Sequence, residues 1–282
     1  MELNIVPQAG LCNRINAIVS AFAFGNKYPD IPIKIYWEKS KDCYADFNDL
    51  FLPIDTNNIK LLPLKHFILR PAKKSNLYIP KLMRKFIFDS EYNGSEISNL
   101  ECESWMFGKE KVYITSYNRF CLLSYKNKIG DLFKPTEDIE NKINKVTCQY
   151  ASNTIGIHIR RTDNLLSIKN SPIELFYKYM DDALIEDDST KFYVASDDEN
   201  IKADLHCRYG NKVITQNWNL ERFSVQGMKD AVAELFCLAR TNKMIGSANS
   251  TYSMMAASLY NIPLMNKEEI EKTTDCSYSW NL

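Results

Sequence analysis

The chain has 282 residues, enough for one large domain or two of ordinary size. A hydrophobic share of 45% and a charged share of 25% suit a globular protein. Lysine plus arginine and aspartate plus glutamate both number 35, so no net field calls for nucleic acid.

Eight cysteines, at 12, 43, 102, 121, 148, 207, 237 and 276, stand singly, with no C-x-x-C pair. There are only three histidines (66, 158 and 206), so the spacing of a zinc site is missing. The expectation is reduced, mostly buried thiols and no metal site. The start "MELNIVPQAGLCNRI" has neither a basic n-region nor an apolar h-region, and no apolar run reaches the roughly 18 residues of a membrane span. A cytoplasmic protein is expected.

In chain order, "LNIVP" (3–7) predicts a buried strand and "QAGLCNR" a glycine-containing loop. "INAIVSAFAFGNKY" predicts an apolar helix ending near Gly25, and "PIKIYW" (32–37) a second strand. This β-loop-α-β order opens a parallel sheet. Residues 60–88 carry eight lysines and arginines and no acid, with Phe and Ile interleaved as in "KLMRKFIF". They read either as a solvated basic face or as a surface for an anionic or lipid-linked partner, a peripheral membrane contact among them.

Residues 131–150 are polar and read as a connector containing a helix. From 151 the pattern restarts. "TIGIHI", "KFYVAS", "KVITQ" and "KMIGSA" predict strands; "PIELFYKYMDDAL", "DDENIKADLHCRYG", "MKDAVAELFCLAR" and "STYSMMAASLY" predict helices between and after them. Two α/β domains follow, 1–150 and 151–282, with a ligand site expected between them.

Ligands of open parallel sheets bind beyond the carboxyl ends of strands, and four segments sit there. The first is "HIRRTD", His158 to Asp163. Alternation puts His158 and Arg160 on one face and Ile157 and Ile159 on the other. Arginine grips a diphosphate bidentately, so one arginine is free for an anion while the other pairs with Asp163; a plain structural ion pair is the competing reading. The second is "ASDDEN", where Asp197 and Asp198 either accept donors from a base or ribose or simply cap a helix. The third is "GSANSTYS" (246–253), a small-residue loop that would offer Ser247, Asn249, Ser250 and Thr251 to a ligand at a helix N-terminus, or merely cap it. The fourth is the N-terminal loop, where Gly10 permits close backbone approach and Asn13 and Arg14 reach out. No G-x-G-x-x-G and no G-x-x-x-x-G-K-[ST] is present, which argues against a dehydrogenase and a P-loop.

Together these motifs resemble the fucosyltransferase superfamily, which includes the α1,2-, α1,6-, nodulation and protein O-fucosyltransferases. "HIRRTD" looks like the family's H-x-R-R-x-D; "FYVASDDE", "IGSANSTYSMMAASL", "GLCNRINAI" and "YWEKSKDCYADFNDLF" are similar to its other segments, in the family's order. The resemblance implies a GT-B fold, two Rossmann-like domains whose parallel sheets face a cleft, with the N-terminal domain on the acceptor side and the nucleotide sugar on the C-terminal one. It implies GDP-fucose as donor, an inverting transfer, no required metal or other cofactor, and a glycan acceptor in bacterial surface polysaccharide or lipid-linked oligosaccharide, at the inner face of the membrane. Carried over, Arg160 would hold the β-phosphate, His158 with Asp197 or Asp198 would face the guanosine, and Ser250 and Thr251 would line the phosphates. Arg161 and the remaining loop residues complete the expected donor set.

The sequence departs from the family at one point. The α1,6 relatives carry a glutamate in the loop after the motif; here "NLLSIKNSP" (164–172) has no acid. Asp163 either serves as base or orients an arginine, so the catalytic set is Arg160 and Asp163 with the base left open. A transferase for another nucleotide sugar, or a non-catalytic nucleotide- or glycan-binding protein, is the alternative.

Overall fold

The computed structural model describes residues 1–106, 108–161 and 165–265. They form two compact units. The first holds residues 1–136 and 221–229, the second 137–220 and the chain from 230 onward.

The first unit is built on β1 (Glu2–Pro7), β2 (Ile33–Trp37), β3 (Ile59–Pro63), β4 (Ser90–Asn93) and β5 (Lys111–Ser116). All pair in parallel, in the order β3-β2-β1-β5-β4. Central β1 is buried along nearly its whole length, which its apolar run requires. Helix α1 (Leu11–Lys27) follows almost at once and is buried on most sides. It starts inside the expected loop, so Cys12, Asn13 and Arg14 occupy its first turn. It also runs through Gly25, where an added Cβ would lie 2.8 Å from Ile59 Cδ1. That glycine serves a close approach to β3, not a helix end. Short helices α2 (Phe47–Leu50), α3 (Ile79–Arg84), α4 (Cys102–Met106) and α5 (Ile129–Leu132) fill the connections.

The second unit begins with the connector helix α6 (Glu137–Thr147), so the compact units divide at 136/137, ahead of the expected 150/151. It then alternates β6 (Thr154–Ile159), α7 (Leu165–Asn170), α8 (Ile173–Glu186), β7 (Lys191–Ser196), α9 (Glu199–Tyr209), β8 (Val213–Ile214), α10 (Val225–Ala239), β9 (Lys243–Gly246), α11 (Thr251–Tyr260) and β10 (Leu264–Met265). Residues 221–229, with the first turn of α10, group with the first unit, where Tyr44 N donates to Arg222 O at 2.9 Å. The parallel sheet runs β10-β9-β6-β7-β8, the doubly wound order of a Rossmann unit. Its core packs Ile155, Ile157 and Ile159 against Phe176, Met180, Phe192 and Leu205.

Two units, each an α/β fold on a parallel five-stranded sheet, are present as expected. Of the seven described cysteines five are buried and all are free thiols; Cys276 lies outside the described residues.

Candidate functional site

In the second sheet the strand order reverses between β6 and β9, which places the topological switch point at the carboxyl end of β6. Parallel register levels three strand ends there: His158 opposes Ala195 on β7 and Gly246 on β9, and Ile159 opposes Ser196. Three of the sequence-predicted segments thus meet at one edge.

Two clamps hold that edge. Ser247 N donates to His158 O at 3.0 Å, and the Ser247 hydroxyl accepts from Arg160 N at 2.9 Å. On the other side, an Asp197 oxygen accepts from Arg161 N at 2.7 Å. Both arginines are fixed through their main chain, so their positions do not depend on where the guanidinium groups go. The Arg161 guanidinium turns back to the carbonyls of Arg160 (3.2 Å) and Ser171 (2.9 Å). Arg160 itself is half-buried just past the strand. Asp163 lies outside the described residues.

Alternation holds as read: Ile157 and Ile159 enter the core, and His158 points to the opposite face. There its ring is 6% exposed, with Nδ1 2.7 Å from Ser253 Oγ and the ring centroid 5.1 Å from that of Tyr252. Its place is behind the loop, against α11. Burial, helped by the Arg160 charge, pushes its pKa down to about 4, so at neutral pH it is an uncharged hydrogen-bonding partner. Next to it Gly246 is required by packing, because an added Cβ would come within 2.4 Å of Ser253 Cβ.

The loop after β9 divides by exposure. Ser247 and Ser250 are buried and used internally, Ser250 capping α11 by accepting from Ser253 N at 3.4 Å. Asn249, at φ 57°, and Thr251 are exposed. They stand at the N-terminus of α11, where backbone N–H groups lack helical acceptors and the dipole favours an anion. Asp198 is the N-cap of α9, accepting from Asn200 N at 2.9 Å, which is the capping reading; Asp197 is the exposed partner of Arg161.

The N-terminal candidates belong to the first unit. Gly10 is the N-cap of α1 in extended backbone, and an added Cβ would meet nothing nearer than 3.9 Å. Asn13 donates to Tyr117 O at 2.7 Å. Arg14 is 1% exposed and donates to Ala9 O (2.8 Å), Glu38 O and Ser40 Oγ (2.8 Å), 4.9 Å from the centroid of the Trp37 ring. It is an internal brace, not an outward arm.

Several residues at this edge escape sequence reading. Ser171 accepts from Ala248 N at 2.8 Å and ties the segment after α7 to the β9 loop. Tyr252 donates from its hydroxyl to Ala231 O (2.8 Å) and approaches Glu234 (3.3 Å). Glu234 is buried, and that burial pushes its pKa up to about 7, with the Lys202 charge opposing. A lone glutamate inside the apolar "AVAELFCLA" is the signal that points to it. Among the described residues, no three His, Cys, Asp or Glu side chains stand together as a metal-ligand group.

His158 and Glu234 give opposite pH dependences. The depressed His158 pKa means its contribution is complete above about pH 6.5 and is lost as pH falls towards 4. The raised Glu234 pKa means its contribution is complete below about pH 4.5 and is lost as pH rises towards 7. Each is worth about 3 kcal/mol at its extreme. Glu234→Gln should therefore lose stability on acidification relative to the parent protein, and His158→Gln should gain it. Melting temperatures of both variants between pH 4.5 and 7 check this; parallel profiles for all three proteins would refute it.

No family model matches the sequence, and no curated protein matches it. Solved structures do. NodZ α1,6-fucosyltransferase soaked with GDP-fucose is similar at a TM-score of 0.62 and 14% identity, over 95% of this chain and 97% of that one. NodZ from Bradyrhizobium gives 0.58 and 14%, over 92% and 94%. A point mutant of Arabidopsis thaliana FUT1 in complex with GDP gives 0.59 and 17%, over 93% and 69%. POFUT1 gives 0.57 and 13%, over 93% and 96%. The chain shares its fold with these proteins.

Proposed function

We propose that this chain is an inverting glycosyltransferase that moves fucose from GDP-fucose to a glycan hydroxyl without a metal ion. The observation that carries the reading is the main-chain bond from Arg160 N to Ser247 Oγ at the switch point, which ties the arginine's backbone to the loop that opens α11. The fold supports the donor, being that of NodZ soaked with GDP-fucose and FUT1 bound to GDP. On this reading the second unit binds the donor and the first unit takes the acceptor.

The chemistry follows from charge. As the glycosidic bond to GDP breaks, negative charge gathers on the departing diphosphate. Arg160 and the helix end are in place beforehand to stabilise it, so no reorganisation is needed in the transition state. The anomeric carbon becomes oxocarbenium-like, and the acceptor hydroxyl attacks it from the face opposite GDP. The proton leaves late in so loose a transition state. Asp163 is the only carboxyl between 162 and 171 in the sequence to receive it. Ser247, Asp197 and Arg161 position Arg160, His158 holds α11 through Ser253, and Asn249 and Thr251 face the phosphates.

We further place the acceptor in bacterial surface polysaccharide or lipid-linked oligosaccharide made at the cytoplasmic face of a membrane; the basic stretch 60–88 suits such an acceptor. A silent nucleotide- or glycan-binding module is the second reading, favoured by the missing acid in 164–172. Turnover separates the two. Incubation with radiolabelled GDP-fucose and a panel of oligosaccharide acceptors should give a fucosylated product and GDP, and EDTA should leave the rate unchanged. A strict divalent-metal requirement, or GDP release with no glycan product, would count against the proposal.

A further inference from the structure

Between residues 56 and 88 there is no aspartate or glutamate. In the first unit this stretch leaves β3, passes two 3-10 turns (Phe67–Leu69 and Lys74–Asn76), and forms α3. Helix α3 is turned inside out. Its buried residues are Pro80 and Arg84. Arg84, 1% exposed, donates to both Glu91 oxygens (3.1 and 2.7 Å) and to the carbonyls of Ile68 and Arg70 (2.8 Å each), with its guanidinium 4.1 Å from the Tyr113 ring centroid. One charge, Arg84, is inside, while Ile79, Leu82 and Met83 of the same helix are outside.

Those outward side chains form a tip. Leu77 is 77% exposed, Leu82 60%, Phe86 86%, and Tyr78 stands beside them half in solvent. Leu77 and Tyr78 both adopt left-handed backbone, φ 51° and 57°, so the turn that lifts the tip outward uses a conformation unfavourable for either residue. Contiguous exposed apolar groups of this size mark a surface that meets another phase or molecule.

Charge decides which. Lys73, Lys74, Lys81 and Lys85 flank the tip and are exposed. Among the described residues none of them pairs with a carboxylate; the adjacent Glu91 is taken by Arg84. A second copy of the chain would bring the same unneutralised cations, so self-pairing is opposed. Aromatic and aliphatic groups ringed by lysines suit an interface of anionic headgroups over acyl chains.

We infer that the segment 65–88 docks this protein on an anionic lipid bilayer, with Leu77, Tyr78, Leu82 and Phe86 inserted at the headgroup boundary and the lysines on the phosphates. This does not depend on the donor reading. The test is flotation of the full chain with vesicles of phosphatidylglycerol and phosphatidylcholine, against phosphatidylcholine alone, at low and high salt. The comparison variants are Leu77→Ser/Leu82→Ser/Phe86→Ser and Lys81→Ala/Lys85→Ala, with melting curves to confirm folding. Binding should require the anionic lipid, weaken with salt, vanish in the triple variant and fall on the order of 25-fold in the lysine pair. GDP titration of the same samples should be unaffected, which keeps failure of docking distinct from failure of the donor assignment. Absence of flotation, equal flotation on neutral vesicles, or undiminished flotation of the triple variant would overturn the inference. So would a dimer in sedimentation that the triple variant dissolves while no vesicle is bound.

Discussion

Arg160→Ala is expected to lower the proposed fucosyl transfer by about 10³-fold and to weaken GDP binding by about a hundredfold. The reason is specific to how this strand end is held. The hydrogen bond that fixes the position runs from Arg160 N to Ser247 Oγ, 2.9 Å, and alanine keeps that N–H. The clamp survives the loss of the guanidinium. Turnover should therefore collapse in a protein that keeps the clamp, with a melting curve beside it to confirm the fold. Arg160→Lys should restore part of the binding and less of the rate, because an ammonium is a point charge without the planar fork. Single-turnover rates and calorimetric titration measure the two effects separately. Unchanged turnover in a folded Arg160→Ala protein would remove this arginine from the site.

The second large effect is on stability. Arg14→Ala should cost about 3–5 kcal/mol, since it empties the space of a buried side chain, strips donors from three part-buried bonds and removes a cation from the face of Trp37. Arg14→Lys should recover little, because one ammonium cannot meet three divergent acceptors. Any Arg14 variant that remains folded should bind GDP with normal affinity, as the proposed donor site lies in the second unit. Urea unfolding and GDP titration decide this. A stable Arg14→Ala protein with weakened GDP binding would restore the outward arm and contradict the brace.

The contrast between these arginines explains which parts of the site could be read from sequence. Strands β6, β7 and β9 announce themselves by apolar runs ending in polar residues, and the three ends converge because parallel register aligns them. What the ends do to each other is not visible in one dimension. His158 and Ser253 are 95 residues apart, and Arg160 and Ser247 are 87 apart. Asp197 and Asp198 look alike in sequence; one caps α9 and the other clamps β6 because successive residues at a strand end point in different directions. Arg14 reads as a loop residue only because the helix start at Leu11 carries no side-chain cap to mark it.

The fold was legible unevenly for similar reasons. The second unit's alternation of strand and helix is nearly complete in the sequence. In the first unit only β1 and β2 were read, because β3 and β4 lie on the flank of a basic, weakly patterned stretch and β5 follows a short irregular connection. Edge strand β10 has two residues, too few for any pattern. Gly25 misled because a glycine near the end of an apolar run usually stops a helix, and here contact with Ile59 selects it instead.

The central claim, a guanosine-diphosphate-sugar site at the switch point of the second sheet, is tested most directly by calorimetric titration of the intact protein with GDP, beside UDP and ADP. The account predicts one GDP per chain, bound at least tenfold more tightly than either other nucleotide. No binding of GDP, or a preference for UDP or ADP, would contradict it.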